Sequence, residues 1–334
     1  MKSLRGYKNF NNNKEYFMGD FHQNGIITTL HNLSRRPVED LDEELVAFSK
    51  TRPLGLILPS LFSELEGAAL PLIVDELKHV PYLNQVVIGL DRANESEYRH
   101  ALEFFAPLPQ HHRVLWNDGP RLQAIDQKLR ALDLAPKELG KGRNVWYCMG
   151  YVLASNKAES IALHDCDITT YTRELLARLI YPVANPRFNY EFCKGYYARV
   201  ANGKINGRVS RLLISPLLKA LKTSIGHTEY LNYMDSFRYP LAGEFSFRRD
   251  VLNDIRIPSD WGLEIGVLSE MYRNYATNRL CQVDIAENYD HKHQQLSLDD
   301  DNGGLSKMSI DIVKAIFRKL ATQGVTFSHE AFRS

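Results

Sequence analysis

Asp165-Cys166-Asp167 puts two carboxylates at i and i+2 where the apolar run Ser160-Ile-Ala-Leu-His164 ends. Leaving a strand together, both can face one open crevice, and a hard divalent cation takes such oxygen ligands. Mg2+ in particular keeps waters and substrate phosphates and needs few protein carboxylates. The spacing alone leaves a second reading open, a solvated turn with Asp167 capping a helix over 169–180. Gly140-Lys141-Gly142-Arg143 joins glycines, which let a backbone approach a ligand, to a helix start that favours anions and a lysine point charge. Neither G-x-x-x-x-G-K-[ST] nor G-x-G-x-x-G is present, so a Walker-type NTPase and a dinucleotide-dependent dehydrogenase are disfavoured; a surface loop with a helix cap stays open. Asn206-Gly207-Arg208-Val209-Ser210 offers a guanidinium, a hydroxyl and backbone N–H groups at another helix start, a receptor for phosphate or carboxylate or an ordinary cap. Tyr289-Asp290-His291-Lys292-His293 carries two imidazoles beside an acid, which suits a metal ligand or an exposed polar loop.

These residues need elements to position them. Leu54-Gly-Leu-Ile-Leu58 ends at Pro59 as a strand buried on both faces does, and Gln85-Val-Val-Ile-Gly-Leu90 and Arg113-Val-Leu-Trp116 follow the same pattern. Glu64 to His79 places Leu65, Ala69, Leu72, Ile73 and Leu77 on one helical face, and Arg143 to Asn156 does the same with Val145, Cys148, Met149, Val152 and Leu153. Strands alternating with helices over 54–167 predict a mostly parallel, doubly wound α/β sheet. Ligands bind beyond the carboxyl ends of such strands, where Pro59, Asp91, Asn117 and Asp165 to Asp167 fall. Further on, 209–222, 262–275 and 310–323 read as helices, and Cys281, Val283 and Ile285 alternate with Gln282 and Asp284 as in a half-buried strand. The expected organisation is an arm over 1–50 with a short helix at 38–49, an α/β half over 51–200, and a more mixed half with a closing helix over 201–334.

Composition supports a globular chain of 334 residues: 44% hydrophobic and 24% charged, with 41 Lys+Arg against 40 Asp+Glu. That balance argues against a general nucleic-acid binder but not against a local basic pocket. Cys148, Cys166, Cys193 and Cys281 are scattered, without the close spacing of a zinc or redox motif, which suits buried thiols in a reducing cytoplasm. The N-terminus lacks the apolar core of a signal peptide, and no run reaches the roughly 18 apolar residues of a membrane span.

In this order the motifs resemble one family, the glucosyl-3-phosphoglycerate synthases and their mannosyl-3-phosphoglycerate relatives, retaining glycosyltransferases of GT-A fold. The likeness covers about residues 54 to 297. Its most specific stretches are Gly207-Arg-Val-Ser-Arg-Leu-Leu with Pro216-Leu-Leu-Lys-Ala-Leu221, Pro240-Leu-Ala-Gly-Glu244 and Trp261-Gly-Leu-Glu-Ile-Gly266. The resemblance implies that Pro59, Ser60 and Leu61 hold the nucleotide, with Phe62-Ser63-Glu64 standing where the family has an Asn-Glu pair. It implies nucleotide contacts by Lys141, a place near the ribose for Asp165, and Mg2+ or Mn2+ on Asp167 and His291. By the same resemblance Gly207, Arg208, Val209 and Ser210 (a threonine in relatives) would clamp the acceptor phosphate, His293 would contact the acceptor, and Gly243 and Glu264 would line the sugar and acceptor side, making 51–200 the nucleotide-sugar-binding half and 201–334 the acceptor-binding half. A homodimer is also implied.

The reaction so implied moves glucose from UDP- or GDP-glucose to the 2-hydroxyl of 3-phospho-D-glycerate with retention, for glucosylglycerate, a compatible solute. Transfer of mannose from GDP-mannose, or another sugar-nucleotide transfer, is the alternative. Double displacement needs a carboxylate beneath the anomeric carbon. Glu264 is the candidate, since Asp167 is committed to metal; a front-face route, in which the departing phosphate helps deprotonate the acceptor, is preferred.

Overall fold

The structure, a computed structural model, describes residues 25–31, 36–201, 204–291 and 304–327. Along the chain come β1 (Thr28–Leu30), α1 (Val38–Ser49), β2 (Leu54–Leu61), α2 (Phe62–Leu65), α3 (Ala69–Leu77), β3 (Leu83–Asp91), α4 (Glu95–Phe105) and β4 (His112–Trp116). Then follow α5 (Pro120–Ala131), α6 (Lys141–Ser155), β5 (Ser160–Leu163), α7 (Arg173–Ala184), β6 (Phe192–Tyr197) and the hairpin β7 (Val200–Ala201) with β8 (Lys204–Ile205). A π-helical turn, Ser210–Ile214, runs into α8 (Ser215–Ile225); α9 (Glu229–Asp235), β9 (Phe245–Arg248), α10 (Val251–Asp254), α11 (Leu263–Asn274), β10 (Leu280–Ala286) and α12 (Gly304–Thr322) complete the order.

An 8-stranded sheet in the order β1-β10-β6-β9-β5-β2-β3-β4 organises the molecule. Every pairing is parallel except those of β9, which runs against both β5 and β6. Helices cover both faces, as the near-continuous apolar runs of β2, β3 and β5 require. Leu45, Ile73 and Leu176 of α1, α3 and α7 build the core on one face; Val145, Tyr233, Leu268 and Ile316 of α6, α9, α11 and α12 build it on the other. The parallel strands release Ser60, Asp91, Asn117, Asp165 and, past β10, His291 at one edge of the sheet. Because β9 is antiparallel, Gly243 and Glu244 enter it from that same edge.

Strands from both sides of residue 200 share this sheet, β6 pairing with both β9 and β10. All four cysteines are buried and free. Among the described residues no helix is long and apolar enough to cross a membrane.

Five expectations are corrected. The helix over 64–79 is broken at Gly67 into α2 and α3; the break changes the phase, burying Leu70 and Val74 and exposing Leu72. The helix expected from 169 begins only at Arg173 behind Thr172, so Asp167 is not its cap. The strand at 281–285 is not half-buried: it lies between β1 and β6, and Gln282 is buried with its amide donating to Thr29 Oγ1 at 2.9 Å and Ser236 O at 2.8 Å. A polar side chain fully used by hydrogen bonds imitates a solvent-facing one in sequence. The helix over 209–222 opens with the π turn rather than an α turn, and the last helix starts at Gly304, earlier than 310.

Candidate active site

Lys141 opens α6 with its backbone pressed on the 258–260 turn. A Cβ at Gly142 would lie 2.0 Å from Pro258 O, and one at Gly140 2.9 Å from Ser259 O, so only glycine allows this approach. The contact sets α6 beside α11, and Lys141 Nζ reaches Asp165 Oδ1 at 2.6 Å and Glu264 Oε1 at 2.9 Å. Burial works against the ammonium, but Asp165 and Glu264 outweigh it and hold Lys141 far above its usual range. Reciprocally, Lys141 overcomes the effect of burial on Asp165 and keeps that carboxyl below its usual range.

Asp167 is brought to His291 by main-chain pairing. Ile168 forms a bridge with His291, Thr169 donates its N–H to Asp290 O at 2.9 Å, and Asp290 donates to Thr170 Oγ1 at 3.0 Å. Residues 168–170 are spent on this clip, which is why α7 starts late. His291 Nδ1 stands 3.6 Å from Asp167 Oδ2. Burial, then Asp165 and Glu64, push the Asp167 carboxyl up to about 7 against the pull of Lys141. A cation beside Asp167 would offset the acids that crowd it. Among the described residues no group of three or more His, Cys, Asp or Glu could hold a metal. A carboxylate and an imidazole at one open edge nevertheless fit Mg2+ or Mn2+ shared with substrate phosphates.

Gly243 backs this cluster, its Cα so near Asp165 that a Cβ would lie 2.2 Å from Oδ2. At the end of β2, Ser60 is buried with its hydroxyl donating to Leu61 O at 2.9 Å, and Asn144 Nδ2 donates to Ser60 O at 3.4 Å, binding this strand end to α6. Pro59 and Leu61 are half-buried beside it. Glu64 lies close enough to raise the Asp167 carboxyl.

Gly207 adopts φ +81° and faces the Tyr239 ring, leaving Arg208 exposed and outside any ion pair among the described residues. Val209 packs against the core, so what it can offer a ligand is its backbone, while Ser210 is buried with a hydroxyl that meets no partner among the described residues. Aromatic rings run from this segment to the Asp167–His291 pair: Tyr239 to Tyr197 at 5.1 Å, Tyr197 to Tyr289 at 3.6 Å, Tyr289 to His291 at 6.0 Å. His293 lies outside the described residues.

Sequence reasoning missed Lys194 and Tyr197, and quoted Glu244 and Tyr289 without giving either a role. Lys194 is buried on β6, its ammonium donating to Ala242 O and lying 5.2 Å from the Phe245 ring centroid. Its signal was a lysine inside the apolar run Phe192-Cys-Lys-Gly-Tyr-Tyr197, where a surface charge has no place.

No protein-family model matches the chain. It is 48% identical over 317 residues to a glucosyl-3-phosphoglycerate synthase of Persephonella marina, covering 95% of this chain and 78% of that protein. To the enzyme of the same name from Methanococcoides burtonii it is 41% identical over 303 residues, covering 90% and 73%. Among solved structures, glucosyl-3-phosphoglycerate synthase from Mycobacterium tuberculosis, in complex with Mn2+, uridine-diphosphate-glucose and phosphoglyceric acid, superposes with a TM-score of 0.63 at 20% identity over 90% of this chain and 89% of that one. Mannosyl-3-phosphoglycerate synthase from Rubrobacter xylanophilus gives 0.65 at 19% identity over 90% and 83%. These structures share the GT-A fold with this chain. The sheet order, the edge cluster and the identities together make this chain a member of the glucosyl-3-phosphoglycerate synthase family, a family of glycosyltransferases.

Proposed function

We propose that this protein transfers the glucosyl group of UDP- or GDP-glucose to the 2-hydroxyl of 3-phospho-D-glycerate with retention at the anomeric carbon. The observation that carries the reading is the convergence at one sheet edge of Asp165 and Glu264 on the Lys141 ammonium, at 2.6 Å and 2.9 Å, beside the Asp167–His291 pair at 3.6 Å. Membership of the family supplies the substrate class.

Asp167 and His291 would hold Mg2+ or Mn2+, which supplies positive charge against the diphosphate that leaves. Lys141 adds its ammonium to the same task, in a site already shaped for it. Pro59, Ser60, Leu61 and Glu64 flank the nucleotide; Asp165 and Glu264, oriented by Lys141, accept from hydroxyls of the donor, and Gly243 keeps the floor clear. Arg208, the Ser210 hydroxyl and the backbones of Gly207 and Val209 clamp the acceptor phosphate and bring its 2-hydroxyl to the anomeric carbon. The bond from that carbon to the diphosphate oxygen breaks with its electron pair going to phosphate. The acceptor oxygen bonds to the same face, and its proton passes to the departing phosphate. Glu264, held by Lys141 at 2.9 Å, is assigned to orient the sugar rather than attack it.

We read residues 51–200 as the donor half, which holds Lys141, Asp165 and Asp167, and 201–334 as the acceptor half, which holds Gly207 to Ser210. Four buried free thiols support a cytoplasmic setting. The homodimer implied by the resemblance is kept as part of the reading, without nucleic-acid or membrane partners.

The test is a panel of UDP-glucose, GDP-glucose and GDP-mannose against 3-phosphoglycerate, with and without Mg2+, read by nucleotide release and by the sugar product. A glucosyl-3-phosphoglycerate formed only with metal is expected. Release of pyrophosphate, or no product from either glucose donor, refutes the reading.

A further inference from the structure

Glu244 is fully buried at the head of β9 between two tyrosines. Tyr197 Oη donates to Oε2 at 2.8 Å and Tyr289 Oη to Oε1 at 2.6 Å. The two rings are stacked, 3.6 Å between centroids and 8° from parallel. Tyr197 closes β6 and Tyr289 stands on the segment after β10, so one carboxylate ties together three strands where they reach the crevice. Gly195 N–H donates to Glu244 O at 2.9 Å, and Lys194 holds the carbonyl of Ala242 from below, so the turn that presents the carboxylate is itself fixed.

A buried carboxylate is a costly way to join strands, since an apolar side chain of similar volume would fill the space without desolvating a polar group. What distinguishes this place is what its neighbours carry. Gly243 backs Asp165, and Tyr289 is two residues before His291. The two residues Gly243 and Glu244 that lead into β9 therefore meet both the Asp165–Asp167 loop and the His291 loop. The main-chain clip of Ile168 and Thr169 with His291 and Asp290 joins these loops from the outside; Glu244 joins them from within.

We propose that Glu244, acting through the Tyr289 hydroxyl, is a positioning residue that holds His291 at the separation from Asp167 that a shared divalent cation requires. It touches neither substrate nor metal, and it rests on the metal-dependent reading above. Partners that orient a ligand are worth about ten- to a hundredfold in metal affinity when removed.

The test is direct Mn2+ binding to the full chain, by electron paramagnetic resonance with the metal alone, together with thermal unfolding. Asp167→Asn identifies the Mn2+ bound at this site. Tyr289→Phe, which removes one oxygen, and Glu244→Gln are expected to weaken that Mn2+ about tenfold in a chain that stays folded, whereas Tyr197→Phe costs less than about threefold because the bond to Tyr289 survives. Unchanged affinity in both Tyr289→Phe and Glu244→Gln overturns the positioning role while the metal site stands. Equal weakening by Tyr197→Phe and Tyr289→Phe also overturns it, pointing to packing alone, and so does loss of fold in both Tyr289→Phe and Glu244→Gln. A wild-type chain that binds no Mn2+ overturns this inference and the metal-dependent reading together.

Discussion

Gly243 faces Asp165 across a gap that no side chain can enter: a Cβ there would lie 2.2 Å from Oδ2 and 2.7 Å from Cγ. Asp165 in turn is the nearer of the two acids on Lys141, at 2.6 Å against 2.9 Å for Glu264. Gly243→Ala must therefore push the Asp165 carboxylate aside and take Lys141 with it. A displacement of this kind costs about a hundredfold in turnover. Steady-state rates should show that loss in kcat with circular dichroism unchanged; a fully active Gly243→Ala enzyme would mean that the carboxylate has another place to go.

Among the described residues Arg208 makes no ion pair, so its removal should cost the fold little and fall on the acceptor alone. A hydrogen bond to a charged group is worth about 1.5–3 kcal/mol. Arg208→Ala should raise the 3-phosphoglycerate KM by about tenfold or more, with the KM for the sugar nucleotide unmoved. Initial rates with each substrate varied separately separate the two.

Asp167→Asn keeps the size of the side chain and removes its charge. The expected outcome is loss of metal stimulation, so that the residual rate is the same with Mg2+ added or chelated. The asparagine should also relieve the crowding of Asp165, Asp167 and Glu64 that drives the Asp167 carboxyl upward after burial. Metal-dependent turnover at the wild-type level in this variant would remove Asp167 from the ligand set.

Lys194 supplies a pH dependence of stability. Burial lowers its ammonium from an ordinary 10.5 to about 8, against the opposing pull of Glu264 and Glu244. Below about 8 the folded and unfolded chains both carry the proton, and the full cost of the buried charge is present. Between about 8 and 10.5 only the unfolded chain carries it, so the folded state gains as pH rises, by roughly 1.4 kcal/mol per unit. Lys194→Met lacks this term. In urea titrations the wild type should therefore gain on the variant as pH climbs through that window, and a constant difference would show that the lysine is not desolvated as described.

The sequence disclosed most where one residue type has one use. Continuous apolar runs at Leu54–Leu58 and Gln85–Leu90 can only be interior strands of a sheet covered on both faces, and they are. Lys141 between two glycines, the Asp165 and Asp167 carboxylates and His291 stand out because charge beside a flexible backbone at a strand or helix end has few structural uses. The Glu64–His79 stretch misled because helical periodicity runs through Gly67 as though it were not there, although the helix breaks at that point. Gln282 misled because polarity was taken for exposure. Glu244, Tyr197 and Tyr289 were beyond reach for another reason: their meaning lies in a contact among three strands far apart in the chain, and nothing in the local spelling of any one of them announces the other two.

The three residues Thr28–Leu30 lie outermost in the sheet, in register with Cys281, Gln282 and Val283. They cover the main-chain donors and acceptors of the very strand that leads to His291. A chain trimmed to begin at Val38 would bare that ladder as a template for a second copy, and strands left open in this way recruit one another. Clumping and a slack histidine would then arrive together, so the short leading segment guards solubility and chemistry by the same bonds.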